Sequence, residues 1–125
     1  MSAKILVVDD EPDTVTLLAM TLTRAGYTVL KANNGRAGLE LALSERPDLV
    51  ILDIMMPDLT GLDVLKALRG KHGAPPPIVI LFTAKSRVED MVEGMEAGAY
   101  KYLVKPTSRE KLLETVKTAL ADANK

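Results

Sequence analysis

Three short, unbroken apolar runs, each closed by a polar residue, constrain this chain more than any other feature. Ile5-Leu6-Val7-Val8 ends in Asp9-Asp10, Leu49-Val50-Ile51-Leu52 ends in Asp53, and Ile78-Val79-Ile80-Leu81-Phe82 ends in Thr83. Runs of this length, rich in β-branched residues and apolar at consecutive positions, suit strands covered on both faces. Thr28-Val29-Leu30 and Tyr100-Lys101-Tyr102-Leu103-Val104 are weaker strand candidates, the second closed by Lys105. Between the runs the apolar period changes to that of a helix. Leu62, Leu65 and Leu68 share one stripe, as do Val88, Met91, Val92 and Met95, and then Leu112, Leu113, Val116 and Leu120.

The punctuation agrees. Pro12 suits a first helical turn, and Gly26 and Gly98 stand where a helix needs a left-handed stop. Thr60 before Gly61 and Ser108 before Arg109-Glu110 read as N-caps. The order is strand–helix repeated about five times. Short right-handed connections turn that order into an α/β fold, a doubly wound open parallel sheet with helices on both faces. The 125 residues are read as one domain, 1–125, since a closed eight-stranded barrel needs roughly twice the length. Only Phe82, Tyr27, Tyr100 and Tyr102 are aromatic, so the core is aliphatic.

Composition narrows the chemistry. With no cysteine and a single histidine, His72, the chain excludes disulfide scaffolds, thiol catalysis, Cys-ligated zinc and multi-His metal sites. Sixteen Lys and Arg against 17 Asp and Glu leave a net charge of −1, with no basic excess for direct nucleic-acid binding. No apolar run nears the ~20 residues of a membrane span, and the start lacks a secretory cleavage site, so a cytoplasmic location is the default expectation.

In an open parallel sheet the carboxyl ends of the strands share one edge, where ligands bind at the reversal of strand order. Asp9, Asp10, Asp53, Thr83 and Lys105 all fall there. Two carboxylates ~4 Å apart repel by ~4 kcal/mol at an effective dielectric of ~20, so some are protonated or a cation lies among them. All-oxygen ligands favour a hard cation, and a shallow hydrated site favours Mg²⁺ over a calcium cage. Acidic ligands, Mg²⁺ and a facing lysine suit a phosphoryl group, whose oxygens need cations on more than one side.

Val7-Val8-Asp9-Asp10-Glu11, Leu52-Asp53-Ile54-Met55-Met56-Pro57 with Gly61, Phe82-Thr83-Ala84 and Tyr102-Leu103-Val104-Lys105-Pro106 together resemble the receiver domains of bacterial two-component response regulators, across essentially the whole chain. The resemblance implies a flavodoxin-like, CheY-like fold with strand order 2-1-3-4-5. It implies Asp53 as phosphoacceptor from a sensor histidine kinase or a histidine phosphotransfer protein. It implies Asp9, Asp10, Asp53 and the Met55 backbone carbonyl around Mg²⁺, with Mn²⁺ able to substitute. Lys105 would pair with phosphoryl oxygens, Thr83 would hydrogen-bond one of them, Tyr102 would turn inward as a switch, and Pro106 would follow a cis bond. The fourth helix, fifth strand and fifth helix (Lys85 to Ala97, Lys101, Lys111 to Lys117) would form the face read by a downstream protein or output domain, and a homodimer through that face is a further option. On this reading the chain is a signalling switch and not a turnover enzyme.

Thr107 follows Pro106 where the family often has phenylalanine, and Thr60 stands where Asp or Asn is common. Met55 and Lys85 hold positions that tune phosphoryl lifetime in the family. Taken singly, the residues have plainer readings. Asp9 and Asp10 fit helix capping, Thr83 a strand end, Tyr102 half-buried packing, Lys105 a solvated surface lysine, and Met91 and Met95 core filling. His72 reads as an inert loop residue beside the stiff Ala74-Pro75-Pro76-Pro77 segment, and Asp58 and Asp63 as solvated charges. Three other functions are weighed by the same residues. A phosphohydrolase of the Asp-x-Asp type needs paired acids on one strand, and a flavin phosphate would be repelled by Asp9-Asp10-Glu11. An unphosphorylated interaction module would typically have lost one of the acids or the lysine. The last residues, Ala121 to Lys125, leave a stand-alone receiver and an excised fragment both open.

Overall fold

The computed structural model describes residues 2–70 and 76–123; His72, Ala74 and Pro75 lie outside them. Five strands alternate with five helices: β1 (Lys4–Val8), α1 (Pro12–Arg24), β2 (Thr28–Ala32), α2 (Gly35–Glu45), β3 (Leu49–Leu52), α3 (Gly61–Arg69), β4 (Ile78–Thr83), α4 (Val88–Glu96), β5 (Lys101–Val104) and α5 (Arg109–Ala123). All strand pairs are parallel, in the order β2-β1-β3-β4-β5. The order reverses between β1 and β3, whose last residues, Val8 and Leu52, lie opposite each other.

The consecutive apolar residues divide between two cores, one on each face. Leu6, Val8, Val50, Leu52, Val79 and Leu81 meet α2 and α3. Ile5, Val7, Leu49, Ile51, Ile80 and Phe82 meet Val15, Leu18 and Leu22 of α1 and Leu112 and Val116 of α5. At roughly 25 cal/mol per Å² of apolar surface, each fully buried Leu or Ile contributes about 1.5–3 kcal/mol, so continuous strands are the main stabilising elements.

The expected boundaries appear as bonds. Pro12 is the first residue of α1, and Gly26 and Gly98 follow α1 and α4 with φ of 102° and 110°. Ser108 Oγ accepts from Lys111 N at 3.1 Å. Asp63 is more than a solvated charge. It forms a reciprocal box with Thr60, its N–H donating to Thr60 Oγ1 at 3.2 Å and its carboxylate accepting from Thr60 N at 3.1 Å. Helix α2 has a weak periodic signal because Gly35, Gly38 and Ala42 form its buried face, and small residues carry little hydrophobicity. Gly38 lies against Val8, where an added Cβ would come within 2.7 Å of a methyl carbon.

The stripe of α4 does not fill a core. Val88 is 70% exposed, Val92 49% and Met95 45%, Met91 is half-buried, and Gly94 is the buried residue of the helix. Period alone shows that residues share a face; whether anything covers that face depends on how far the sheet extends. Here β5 is the edge strand, and α4 rests on it at Gly94, beside Leu81 and the Tyr102 ring. Among the described residues no helix is long and apolar enough to cross a membrane.

Candidate functional site

The strand ends assemble an acidic group at the reversal point. Asp9 follows β1 and Asp53 follows β3, and both are buried, at 2% and 5% exposure. Asp10 is exposed beside them, and one ligand oxygen from each of the three lies within 4.8 Å of the others. Each buried carboxylate is held locally by a backbone amide two residues on: Glu11 N donates to Asp9 Oδ1 at 3.0 Å, and Met55 N to Asp53 Oδ1 at 3.1 Å. These short turns aim the remaining oxygens at a common point.

Lys105 supplies the facing charge. Its Nζ donates to Asp9 Oδ2 at 2.7 Å and to Asp53 Oδ2 at 3.1 Å, with Glu11 Oε1 at 3.6 Å. The ammonium also sits 5.6 Å from the centre of the Phe82 ring. Sequence alone gives neither Glu11 nor Phe82 a role, although both fall within the motifs. The Lys105–Pro106 peptide is cis, as the resemblance implies, and the Thr107 hydroxyl donates to Val104 O at 2.8 Å, tying the following loop to the strand end.

Burial dominates the protonation of Asp9, raising its pKa despite the Lys105 and Glu11 hydrogen bonds that lower it; the Asp53 charge raises it further. Burial pulls the Lys105 ammonium down, but its hydrogen bonds to Asp9 and Asp53 outweigh that and hold the group above its ordinary value. Three carboxylates against one ammonium leave the site short of positive charge. The donors are all oxygen, their spacing allows one ion to bridge them, and exposed Asp10 keeps an edge open to water, so the residues fit a hard divalent cation.

The other candidate residues stand close by without joining the carboxylates. Thr83, fully buried at the end of β4, accepts from Lys85 N at 3.4 Å, and Tyr102 OH donates to Lys85 O at 2.9 Å. Among the described residues no hydrogen bond links the Thr83 hydroxyl to Asp9, Asp10 or Asp53. Burial, then the Asp90 and Asp53 charges, raises the Tyr102 pKa. Lys85 thus carries both contacts and also faces Asp90 at 3.9 Å. The Met55 side chain is 52% exposed at the mouth of the site. Gly61, at the start of α3, is packed so close to the Asp53 backbone that a Cβ would come within 2.2 Å of its carbonyl oxygen. That makes it a residue on which the Asp53 segment depends.

The family described as "Response regulator receiver domain" matches residues 5–117. The chain is 44% identical over 120 residues to the alkaline phosphatase synthesis transcriptional regulatory protein PhoP of Bacillus subtilis, covering 96% of this chain and 49% of that protein. It is 41% identical over 119 residues to Protein PilH of Pseudomonas aeruginosa, covering 95% and 98%. Among solved structures it resembles the Vibrio cholerae chemotaxis protein CheY4, with a TM-score of 0.89, 35% identity, and coverage of 95% and 99%. The chain therefore spans about half the length of PhoP and nearly all of PilH.

Proposed function

This chain belongs to the response regulator receiver domain family of two-component systems, and we propose that residues 1–125 act as one phosphorylation-controlled switch with Asp53 as the phosphoacceptor. The observation that carries the proposal is the pairing of buried Asp53 and Asp9 through one lysine ammonium, with Asp10 alongside. An Asp53 oxygen attacks phosphorus on a phosphohistidine of a sensor kinase or a histidine phosphotransfer protein. The O–P bond forms as the P–N bond breaks, and the departing imidazole takes up a proton. Mg²⁺ or Mn²⁺, held by Asp9, Asp10, Asp53 and the Met55 carbonyl, would supply charge neutralisation for the phosphoryl oxygens.

The protein's own groups do the rest. Lys105 exchanges its carboxylate contact for a phosphoryl oxygen. The Thr83 hydroxyl, which now accepts from Lys85 N–H, keeps its own proton to donate to another. Drawing Thr83 toward Asp53 breaks its contact with Lys85, whose carbonyl holds Tyr102. The phosphorylated state is then read on the α4-β5-α5 face, where Val88, Val92 and Met95 are exposed to a downstream protein, an output domain or a second copy. On this reading the chain works in the cytoplasm as a switch and not as a turnover enzyme.

The test is intact mass after incubation with acetyl phosphate, with Mg²⁺ or with EDTA. The expected result is one metal-dependent phosphoryl adduct, absent in Asp53→Asn. No adduct from any donor, including a histidine kinase, overturns the reading in favour of an interaction module on the same scaffold.

A further inference from the structure

On the face opposite α4, a groove of about 620 Å³ lies between α1 and the segment from Lys105 into α5. Its α1 wall runs from Thr14 to Ala25, which at ~1.5 Å per helical residue makes it about 16 Å long. Buried Leu18, Phe82 and Leu112 line it, and Leu17 and Met20 stand exposed at 66% and 48%. Among the described residues the charged ones lining it are Arg24, Lys105 and Arg109, with no carboxylate. Lys105 is committed to Asp9 and Asp53. Arg24 and Arg109 are exposed, and among the described residues neither guanidinium makes an ion pair or a hydrogen bond.

An elongated apolar trough of this volume falls within the ~300–1,000 Å³ range of small-molecule sites. Two uncommitted guanidinium groups, one on each wall, select an anion and match the planar geometry of a carboxylate. We propose that the groove between α1 and α5 binds a soluble linear amphiphile, a medium-chain carboxylate whose aliphatic chain lies along Leu18, Phe82 and Leu112 and whose head group meets Arg24 or Arg109. This inference does not depend on Asp53 being a phosphoacceptor.

The test titrates the full chain by calorimetry with decanoate, decanol and decyltrimethylammonium, each below its micelle concentration. Decanoate is expected to saturate one site, with the alcohol and the cation at least about tenfold weaker. In the double variant R24Q/R109Q, decanoate should fall to the level of decanol. Both arginines are exposed, so the fold is retained, and amide shifts on ligand addition should map to α1 and residues 105–113. Any of four results overturns the proposal: no saturation by decanoate, indifference to head-group charge, unchanged affinity in R24Q/R109Q, or shifts confined to the α4 face. A concentration-dependent dimer abolished by Leu17→Asp would overturn it in favour of a second copy in the groove.

Discussion

Replacing Asp10 by Asn should make the metal-free protein more stable while weakening its response to magnesium. An Asp10 oxygen lies within 4.8 Å of oxygens of both Asp9 and Asp53. At that separation a carboxylate pair repels by about 3.5 kcal/mol at an effective dielectric of ~20, and by about 0.9 kcal/mol in bulk water. Asn removes two such repulsions and the attraction to Lys105, which pairs with Asp9, Glu11 and Asp53 and not with Asp10, leaving a net gain near one pair. Because Asp10 is solvent-exposed, screening holds that gain to the lower figure, about 1 kcal/mol, or ~3–5 °C in Tm for a domain of this size. Wild-type protein should instead gain about 2.7 kcal/mol when Mg²⁺ is present at a hundred times its Kd, and the variant only a fraction of that. Urea titrations of both proteins in EDTA and in Mg²⁺ give four midpoints. An Asp10→Asn variant less stable than wild type in EDTA, or an equal magnesium shift in both proteins, would contradict the placement of Asp10 among the metal ligands.

Lys105→Met leaves buried Asp9 and Asp53 without their shared cation and should cost about 3–5 kcal/mol in EDTA, read from the urea midpoint. The Lys105 pKa is raised in the fold, so its stabilisation is present below the ordinary 10.5 and lost as pH rises through the folded value; Lys105→Met should therefore flatten stability against pH on the alkaline side. Gly61→Ala drives a Cβ into the Asp53 carbonyl; a loss of at least about 2 kcal/mol in thermal unfolding and slower labelling by acetyl phosphate are expected, and labelling at the wild-type rate would contradict the packing argument. Thr60→Ala breaks only the α3 capping box, so stability should drop by about 1 kcal/mol while the extent of phosphorylation stays unchanged.

The elements readable in the chain were those whose signal is local. Strands β1, β3 and β4 announce themselves because burial on both faces demands consecutive apolar residues, and the caps at Thr60 and Ser108 because few side chains satisfy orphan amides. Where small residues face the core, as at Gly35, Gly38 and Ala42 of α2, periodicity fades. The α4 stripe is the opposite case: it is periodic, yet among the described residues Val88 and Val92 stand exposed.

Chain order alone dictates that Asp9, Asp10, Asp53, Thr83 and Lys105 meet at one sheet edge, because every parallel strand delivers its last residue to the same side. Packing in three dimensions decided the finer relations. It set Lys105 between Asp9 and Asp53 and over Phe82, seated Thr83 and Tyr102 on the two backbone groups of Lys85, and opened the groove between α1 and α5. Apart from the local Thr83–Lys85 turn, these contacts join residues 17 to 96 positions apart, and their distances depend on sheet twist and helix seating, neither of which is written in any local window of residues.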